Sequence, residues 1–113
     1  MDKLPQSCFT TLLKNTSDYV FWKNQNLKYA GCNEKFAREV GLNSPEEIIG
    51  LTDYDLPWKE RLTELYLEED KYVFTTKRSI LDKEVPFTNY KKEDKVILLN
   101  KEALWDDGKI IGI

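Results

Sequence analysis

Histidine is absent from this chain of 113 residues, and cysteine occurs only twice, at Cys8 and Cys32. The chain therefore cannot form a Ser-His-Asp triad, and it lacks the usual general base and the commonest haem ligand. Two cysteines make no disulfide framework, and without histidine they cannot complete a zinc site of about four ligands. We predict no metal site and no catalytic residue.

Long apolar runs and clusters of basic residues are also missing. No stretch approaches the roughly 20 apolar residues of a membrane span, and the first residues lack the apolar core of a signal peptide. The 17 basic and 20 acidic residues are interleaved and give a net charge of −3, which argues against a nucleic-acid surface. We expect a cytoplasmic domain with neither a nucleic-acid partner nor direct membrane contact, although its parent protein could be membrane-attached.

The most informative stretch of the chain, residues 20–41, changes its hydrophobic period. Two short apolar and aromatic runs flank the turn residues 24–26, and from Phe36 onward the apolar residues follow helical spacing. This change predicts a β-hairpin that leads directly into a helix. Asn33 occupies the expected N-cap of the helix, and Gly41 occupies its expected end.

Residues 1–17 carry apolar side chains at helical spacing, namely Leu4, Phe9, Leu12 and Leu13. They predict an amphipathic helix with a short linker, ahead of a main domain at residues 18–113. Such a helix either folds back on its own sheet or pairs with the same helix of a second copy. The sequence does not decide between these alternatives, and we carry the homodimer forward as a prediction.

A carboxylate pair follows the short capped turn that Gly50 ends. Asp53 and Asp55 could hold a cation, but no other acid lies at a spacing suited to calcium. We therefore interpret the two acids as caps of the following turns, with Tyr54 and Trp58 packed inward.

The longest predicted helix covers residues 59–76 and carries a carboxylate on its apolar stripe. Asp70 falls at helical spacing between Tyr66 and Val73, so it faces the interior with them. A buried carboxylate costs several kcal/mol unless it is paired or hydrogen-bonded. We predict that Asp70 has a fixed structural partner, for which the backbone N–H groups of residues 51–56 are candidates.

The last third of the chain is strand-like. Residues 79–88, 96–105 and 109–113 have the composition of strands, and the last two flank a hairpin turn at 106–108. Together with the first hairpin they predict an α+β fold, a five-stranded antiparallel sheet with short helices and one long helix on one face. Because the sequence stops within an apolar strand, we expect it to be a piece of a longer protein.

The order of these elements, and several phrases in them, resemble a PAS (Per-Arnt-Sim) sensor domain over residues 18–113. The phrases are FWKNQNLKYAGCN, FAREVGLNSPEEIIG, LTDYDLPW and NKEALWDDGKIIGI. Residues 22–33 together with residues 52–55 are similar to the PAS modules of bacterial sensor histidine kinases. The resemblance implies a non-catalytic sensory or signal-relay domain that regulates an output domain such as a kinase. The alternative function is a constitutive dimerisation scaffold with no ligand.

The resemblance also allows two cofactor classes to be tested. Light-sensing PAS domains place a reactive cysteine three residues after the position of Gly50, where this chain has Asp53. Haem-binding members usually ligate iron through a histidine of the long helix, and this chain has none. Cys32 could be a thiolate ligand or a small buried thiol, and we favour the buried thiol. We predict no cofactor and leave an unidentified small molecule open.

PAS domains enclose a cavity between the sheet and the long helix, and the resemblance implies a lining for it here. The candidates are Phe21, Tyr29, Phe36, Tyr54, Trp58, Leu62, Tyr66, Phe74, Leu98 and Leu99. Aromatic walls also describe an ordinary core, so a ligand pocket and plain core both stay open. Lys101 either pairs with an acid such as Glu84 or reaches a ligand, and we favour the ion pair. The residues predicted to have structural roles are Asn33, Gly41, Gly50, Asp53, Asp70 and Lys101.

Overall fold

The computed structural model describes residues 6–58 and 60–113 and contains helices and antiparallel strands. The helices are α1 (Gln6–Asn15), α2 (Glu34–Glu39) and α3 (Glu60–Thr76), with two 3₁₀ turns at Pro45–Ile48 and Asp53–Asp55. The strands are β1 (Phe21–Lys23), β2 (Tyr29–Cys32), β3 (Ile80–Thr88), β4 (Asp94–Lys101), β5 (Leu104–Asp106) and β6 (Lys109–Gly112). The mixed α+β class is confirmed. Two parts of the predicted helices, residues 1–5 and Lys59, lie outside the described residues.

A capped corner joins the β1–β2 hairpin to α2. The side-chain oxygen of Asn33 accepts hydrogen bonds from the N–H groups of Phe36, at 3.0 Å, and Val20, at 3.2 Å. Its amide nitrogen donates to the carbonyl of Asp18 at 2.9 Å. One buried side chain therefore caps the helix and fixes the segment that enters β1.

Left-handed backbone marks the helix ends and the last turn. Gly41 and Gly50 follow α2 and the first 3₁₀ turn with φ of 88° and 87°, a region that glycine enters without steric cost. Asp107 and Gly108 join β5 to β6 with φ of 49° and 77°. Positive φ at both central residues is what a type I′ hairpin turn requires.

The strands form three antiparallel pairs, β1–β2, β3–β4 and β5–β6, so the predicted five-stranded sheet is not confirmed. The last pair meets β1 only at one edge, where Lys23 and Ile113 exchange backbone hydrogen bonds of 2.8 and 3.0 Å. Within the described residues no ladder joins β4 to β1. The predicted strand at 96–105 is also divided, because strand pairing stops after Lys101 and resumes at Leu104.

The core lies between α3 and the strands, and it combines aliphatic side chains with a connected group of aromatic rings. The ring centroid of the buried Trp58 lies 5.2 Å from that of Tyr66 and 5.6 Å from that of Phe87. Phe36 of α2 joins the same group and is 2% exposed. Aromatic packing therefore connects α2, α3 and β3.

The N-terminal helix α1 lies against its own domain. The rings of Phe9 and Trp22 meet edge to face at 6.2 Å, while Leu12 is 68% exposed. The helix therefore touches its own chain, yet none of its described residues is buried. The homodimer through this helix stays a prediction.

Candidate functional site

A cleft of about 1060 Å³ opens between the β1–β2 hairpin and the β3–β4 hairpin. Phe9 and Leu13 of α1 border its outer side, where both are at least partly exposed, and the buried Trp58 forms part of its inner wall. Of the ten predicted lining residues, the structure brings together Phe21, Tyr29, Phe36, Trp58, Tyr66, Leu98 and Leu99 around it. Their contact with a small molecule stays a prediction.

The remaining predicted lining residues do not border the cleft. The inward position predicted for Tyr54 is wrong: its side chain is 63% exposed, because the second 3₁₀ turn directs the neighbouring Asp53 inward instead. Leu62 is buried in the core, and Phe74 is half-buried in the last turn of α3. Leu98 borders the cleft only from its exposed side, because side chains alternate along β4.

A buried group of charges lies at the inner end of the cleft. Lys23 of β1 is 1% exposed, and its ammonium group donates to the carboxylates of Asp53 and Asp70, to the second at 2.5 Å. The hydroxyl of Tyr29 donates to the other oxygen of Asp53 at 2.6 Å. The ammonium group of Lys23 also lies 4.9 Å from the centroid of the Tyr29 ring.

Lys101 of β4 enters the same group from the opposite strand pair. Its ammonium group donates to the second oxygen of Asp70 at 2.8 Å and to the carbonyl of Tyr66 at 3.1 Å, and it lies 3.4 Å from Glu69. The other oxygen of Glu69 accepts a hydrogen bond of 2.7 Å from Lys83, whose side chain is 44% exposed. Asp70 of α3 is therefore shared by one lysine from each strand pair.

The charged group is neutral as a whole. Its ammonium groups belong to Lys23, Lys83 and Lys101, and its carboxylates to Asp53, Glu69 and Asp70. Removing charges from water is costly, and mutual pairing with full hydrogen bonding is what offsets that cost. The ion pairs therefore favour an arrangement of the strands and α3 that keeps them together, although one buried oxygen of Glu69 has no hydrogen-bond partner among the described residues.

Two buried tyrosines add protonated hydroxyls to this region. Burial, together with the charge of Asp53, raises the pKa of Tyr29 well above its ordinary value. Burial also raises the pKa of Tyr66, whose hydroxyl donates to the carbonyl of Pro86 at 2.5 Å. Both phenols stay protonated at neutral pH and keep donating to their acceptors.

The interior position of Asp70 and the ion pair of Lys101 agree with the sequence analysis, but their predicted partners are wrong. Asp70 binds two lysines and not the backbone of residues 51–56, and Lys101 binds Asp70 and not the exposed Glu84. Asp53 likewise forms an ion pair, because its side chain points into the core. Its neighbour Asp55 is the cap, accepting from the N–H of Thr52 at 2.8 Å.

Sequence reasoning missed Lys23 and Glu69. A signal for Lys23 exists, because residues two apart in a strand share a face, so Lys23 lies on the inward face with Phe21. Glu69 gave no such signal. It is adjacent to Asp70 on α3. Both carboxylates are buried because each pairs with a lysine, Glu69 with one from β3 and Asp70 with one from β4.

The features that could hold a metal or a cofactor are few. In residues 6–58 and 60–113 no group of three or more acidic or cysteine side chains is arranged to hold a metal ion. Cys32 is 4% exposed, and burial raises its pKa to about 11, so it is a thiol at neutral pH. The absence of a cofactor stays a prediction. In the same part of the chain, no helix is both long and apolar enough to span a membrane.

Comparison with known proteins identifies the family. A family model described as the PAS fold matches residues 13–113. The chain belongs to the PAS-fold family. Membership supports a sensory or signalling role, and PAS domains are generally not catalytic, in agreement with the prediction that this segment is not an enzyme. No curated protein sequence matches this PAS domain.

Solved structures of VqmA share the fold. The complex of Vibrio cholerae VqmA with ligand and DNA superimposes with a TM-score of 0.80 at 21% identity, covering 97% of this chain and 48% of that one. The Vibrio cholerae VqmA dimer without its target DNA gives the same values. VqmA bound to DPO gives a TM-score of 0.75 at 24% identity, covering 94% of this chain and 52% of that one. The PAS domain thus spans about half the length of the VqmA chains that it matches.

The partner predictions are corrected by these structures. The exclusion of a nucleic-acid partner is wrong, because a protein that shares this fold is solved in complex with DNA. The prediction used the interleaved charges of this domain alone. The region of VqmA that this domain matches is only about half of the VqmA chain. A histidine kinase as the output domain is not shown either, since VqmA is described as a LuxR-type receptor.

Proposed function

We propose that this PAS domain is the ligand-sensing part of a signalling receptor and that the cleft is its binding site. The observation that carries the proposal is the open, aromatic cleft of about 1060 Å³ between two strand pairs. Pockets for small molecules typically measure about 300–1,000 Å³ and have mainly apolar and aromatic walls with a few polar groups. The polar groups here are fixed by their ion pairs, so the inner wall is organised before a molecule arrives.

The shared carboxylate of Asp70 supplies a route from the cleft to the strands. It connects α3 to Lys23 on one side of the cleft and to Lys101 on the other. A molecule that binds between the two hairpins favours one spacing of the strand pairs over another. The ligand then acts by shifting the population of these arrangements, which an attached output domain can detect.

A DNA-binding output is our candidate for the rest of the protein. Its support is the match of nearly the whole PAS domain to about half of VqmA, which is solved with DNA. The test is retention of genomic DNA fragments by the full-length protein, compared before and after addition of a small-molecule cell extract. Absence of any retained DNA in both conditions would remove this candidate and leave the sensory proposal standing. The cytoplasmic location stays a prediction.

A constitutive scaffold without ligand is the alternative, and a blocked cleft distinguishes the two. Ile97→Trp places a large ring in the cleft, whereas Val96→Trp adds the same ring at the neighbouring position of β4, which is 71% exposed. A ligand that binds only the folded state raises the melting temperature. We expect the small-molecule fraction of a cell lysate to raise it for the wild type and Val96→Trp but not for Ile97→Trp. An unchanged melting temperature in all three proteins supports the scaffold.

A further inference from the structure

We infer that the indole N–H of Trp58 is a specificity-determining donor, which selects molecules that place a hydrogen-bond acceptor at the inner wall of the cleft. Carbonyl oxygens and unprotonated ring nitrogens are acceptors of this kind. The inference rests on the proposed function, because it names the residue and the chemical group through which the same cleft recognises its ligand.

The indole nitrogen of Trp58 is a buried donor without an acceptor. The side chain is 6% exposed, and its nitrogen has no hydrogen-bond partner among the described residues. An indole N–H can only donate, and a buried one usually finds a partner. Because an unpaired buried donor costs free energy, an acceptor that meets this N–H stabilises the complex in which it does so.

The groups packed against the indole are aromatic rings, which are weak acceptors. The ring centroid of Trp58 lies 5.2 Å from that of Tyr66, 5.6 Å from that of Phe87 and 6.5 Å from that of Phe36. An N–H contact with a ring face is weaker than a conventional hydrogen bond. Since Trp58 borders the cleft, a molecule that enters as far as the inner wall can supply the strong acceptor that the neighbouring rings do not.

Trp58 differs in this respect from the other buried polar side chains that border the cleft. Each of those has a hydrogen-bond partner within the domain, and they are Lys23, Tyr29, Asp53, Tyr66 and Lys101. A buried oxygen of Glu69 also lacks a hydrogen-bond partner among the described residues, but it lies 3.4 Å from the ammonium group of Lys101 and does not border the cleft. The unpaired buried donor at the cleft, within the described part of the chain, is therefore that of Trp58.

The chain around Trp58 fixes the indole before a molecule arrives. The ring of Pro57 restricts the backbone directly ahead of it, and the carbonyl of Pro57 accepts a hydrogen bond of 2.9 Å from Lys92. Helix α3 begins two residues later, at Glu60. Hydrogen bonds weaken steeply when they are bent, so a fixed donor accepts only those molecules whose acceptor lies in line with it.

Removal of the donor alone tests whether it is unpaired in the ligand-free domain. Benzothienylalanine, a tryptophan analogue with sulfur in place of the N–H group, keeps the shape of the ring, and we call the protein that carries it at this position the Trp58 analogue. The same replacement of Trp105, which is 51% exposed, is the control. We expect the melting temperature of the Trp58 analogue to equal or exceed that of the wild type. A melting temperature below those of the wild type and the control would show that the N–H already has a partner, and would overturn the inference.

Two molecules of nearly the same shape test the recognition itself. Acetophenone carries a carbonyl oxygen where α-methylstyrene carries a methylene group. Dissociation constants for both are measured by titration calorimetry with the wild type and the Trp58 analogue, and Ile97→Trp serves as the blocked control. We expect the Trp58 analogue to bind acetophenone about fivefold more weakly than the wild type does, as for the loss of one hydrogen bond, and to bind α-methylstyrene equally well.

The possible results separate the inference from the proposed function. If Ile97→Trp blocks binding, but the Trp58 analogue weakens acetophenone binding no more than α-methylstyrene binding, the cleft is a ligand site and the inference is overturned. If neither molecule binds the wild type, or if Ile97→Trp leaves binding intact, the proposed function fails and the inference fails with it.

The indole proton resonances of the wild type decide the matter if the Trp58 analogue does not fold. The chain has three tryptophans, so Trp22→Phe and Trp105→Phe identify the resonance of Trp58 by elimination. A new hydrogen bond moves the resonance of its N–H proton downfield. We expect acetophenone, and not α-methylstyrene, to move the Trp58 resonance in this direction. An unmoved resonance in the presence of bound acetophenone would overturn the inference.

Discussion

The ammonium group of Lys23 lies 2.5 Å from the carboxylate of Asp70, although the two residues are 47 positions apart. The other oxygen of Asp70 accepts from Lys101 at 2.8 Å. One side chain of α3 is therefore bound by β1 and by β4, two strands that no ladder joins in the described part of the chain. The ion pairs supply, through side chains, a connection between the two hairpins across the cleft.

Replacement of the shared carboxylate should destabilise the fold strongly. Asp70→Asn leaves two buried ammonium groups with one carboxylate partner each, and breaking a buried ion pair costs about 3–5 kcal/mol. The free energy of unfolding is measured by urea denaturation. Glu68→Gln is the matched control, because Glu68 lies on the same helix but is exposed.

The expected cost for the control is within about 0.5 kcal/mol. A loss below about 1 kcal/mol for Asp70→Asn, typical of an exposed ion pair, would contradict the role of Asp70 as the shared partner of both lysines.

Loss of the cap at Asn33 should weaken the corner between β2 and α2. Asn33→Ala removes a helix cap, worth about 0.5–2 kcal/mol, and leaves the N–H of Val20 without its acceptor. We therefore expect a cost near the upper end of that range in urea denaturation. Asn43→Ala, at an exposed position, is the control. Equal stability of the two variants would show that the cap contributes nothing.

The two cysteines should differ sharply in reactivity. Cys8 is exposed on α1, whereas Cys32 is buried and burial raises its pKa to about 11. The thiolate is the reactive form, so the native domain should react with a disulfide reagent at one thiol per chain. The second thiol should react only after unfolding. Rapid reaction of both thiols in the native domain would contradict the buried position of Cys32.

Alkaline pH should separate the two buried tyrosines, Tyr29 and Tyr66, from the exposed Tyr54, Tyr72 and Tyr90. Burial raises the pKa of Tyr29 and Tyr66 above the ordinary value of 10.0. As the pH rises, the unfolded chain therefore loses these two phenol protons before the folded chain does. The two protonated phenols contribute fully to the free energy of unfolding below pH 10, and this contribution is lost as the pH rises through their raised pKa values in the folded chain. Phenolate absorbance measures the ionisation of the tyrosines as a function of pH, and circular dichroism measures unfolding over the same range. Titration of all six tyrosines before any unfolding would contradict it.

Much of the fold can be predicted from the sequence where local chemistry decides. The period change at residues 20–41, the cap at Asn33 and the turn at Asp107 and Gly108 depend on residues close together in the chain. Each of these features lies where the sequence predicts it. The PAS fold also follows from the order of elements, because that order depends on local signals in sequence.

The charged group at the inner end of the cleft could be predicted only in part. The stripe of α3 indicates that Asp70 is buried, but its partners lie on β1 and β4, and no local pattern selects them. The sequence predicts Tyr54 to point inward, yet the neighbouring Asp53 takes the inward position. The carboxylate of Asp53 lies inward because Lys23 and the Tyr29 hydroxyl donate hydrogen bonds to it.

Native mass spectrometry of the purified domain tests the central claim, that the cleft holds a small molecule. The wild type and the outward-facing control Val96→Trp are incubated with the small-molecule fraction of a cell lysate, and Ile97→Trp is treated in the same way. The account predicts an additional small-molecule mass on the first two proteins and the bare mass for Ile97→Trp. Bare mass for all three proteins, or the same additional mass on all three, would contradict it.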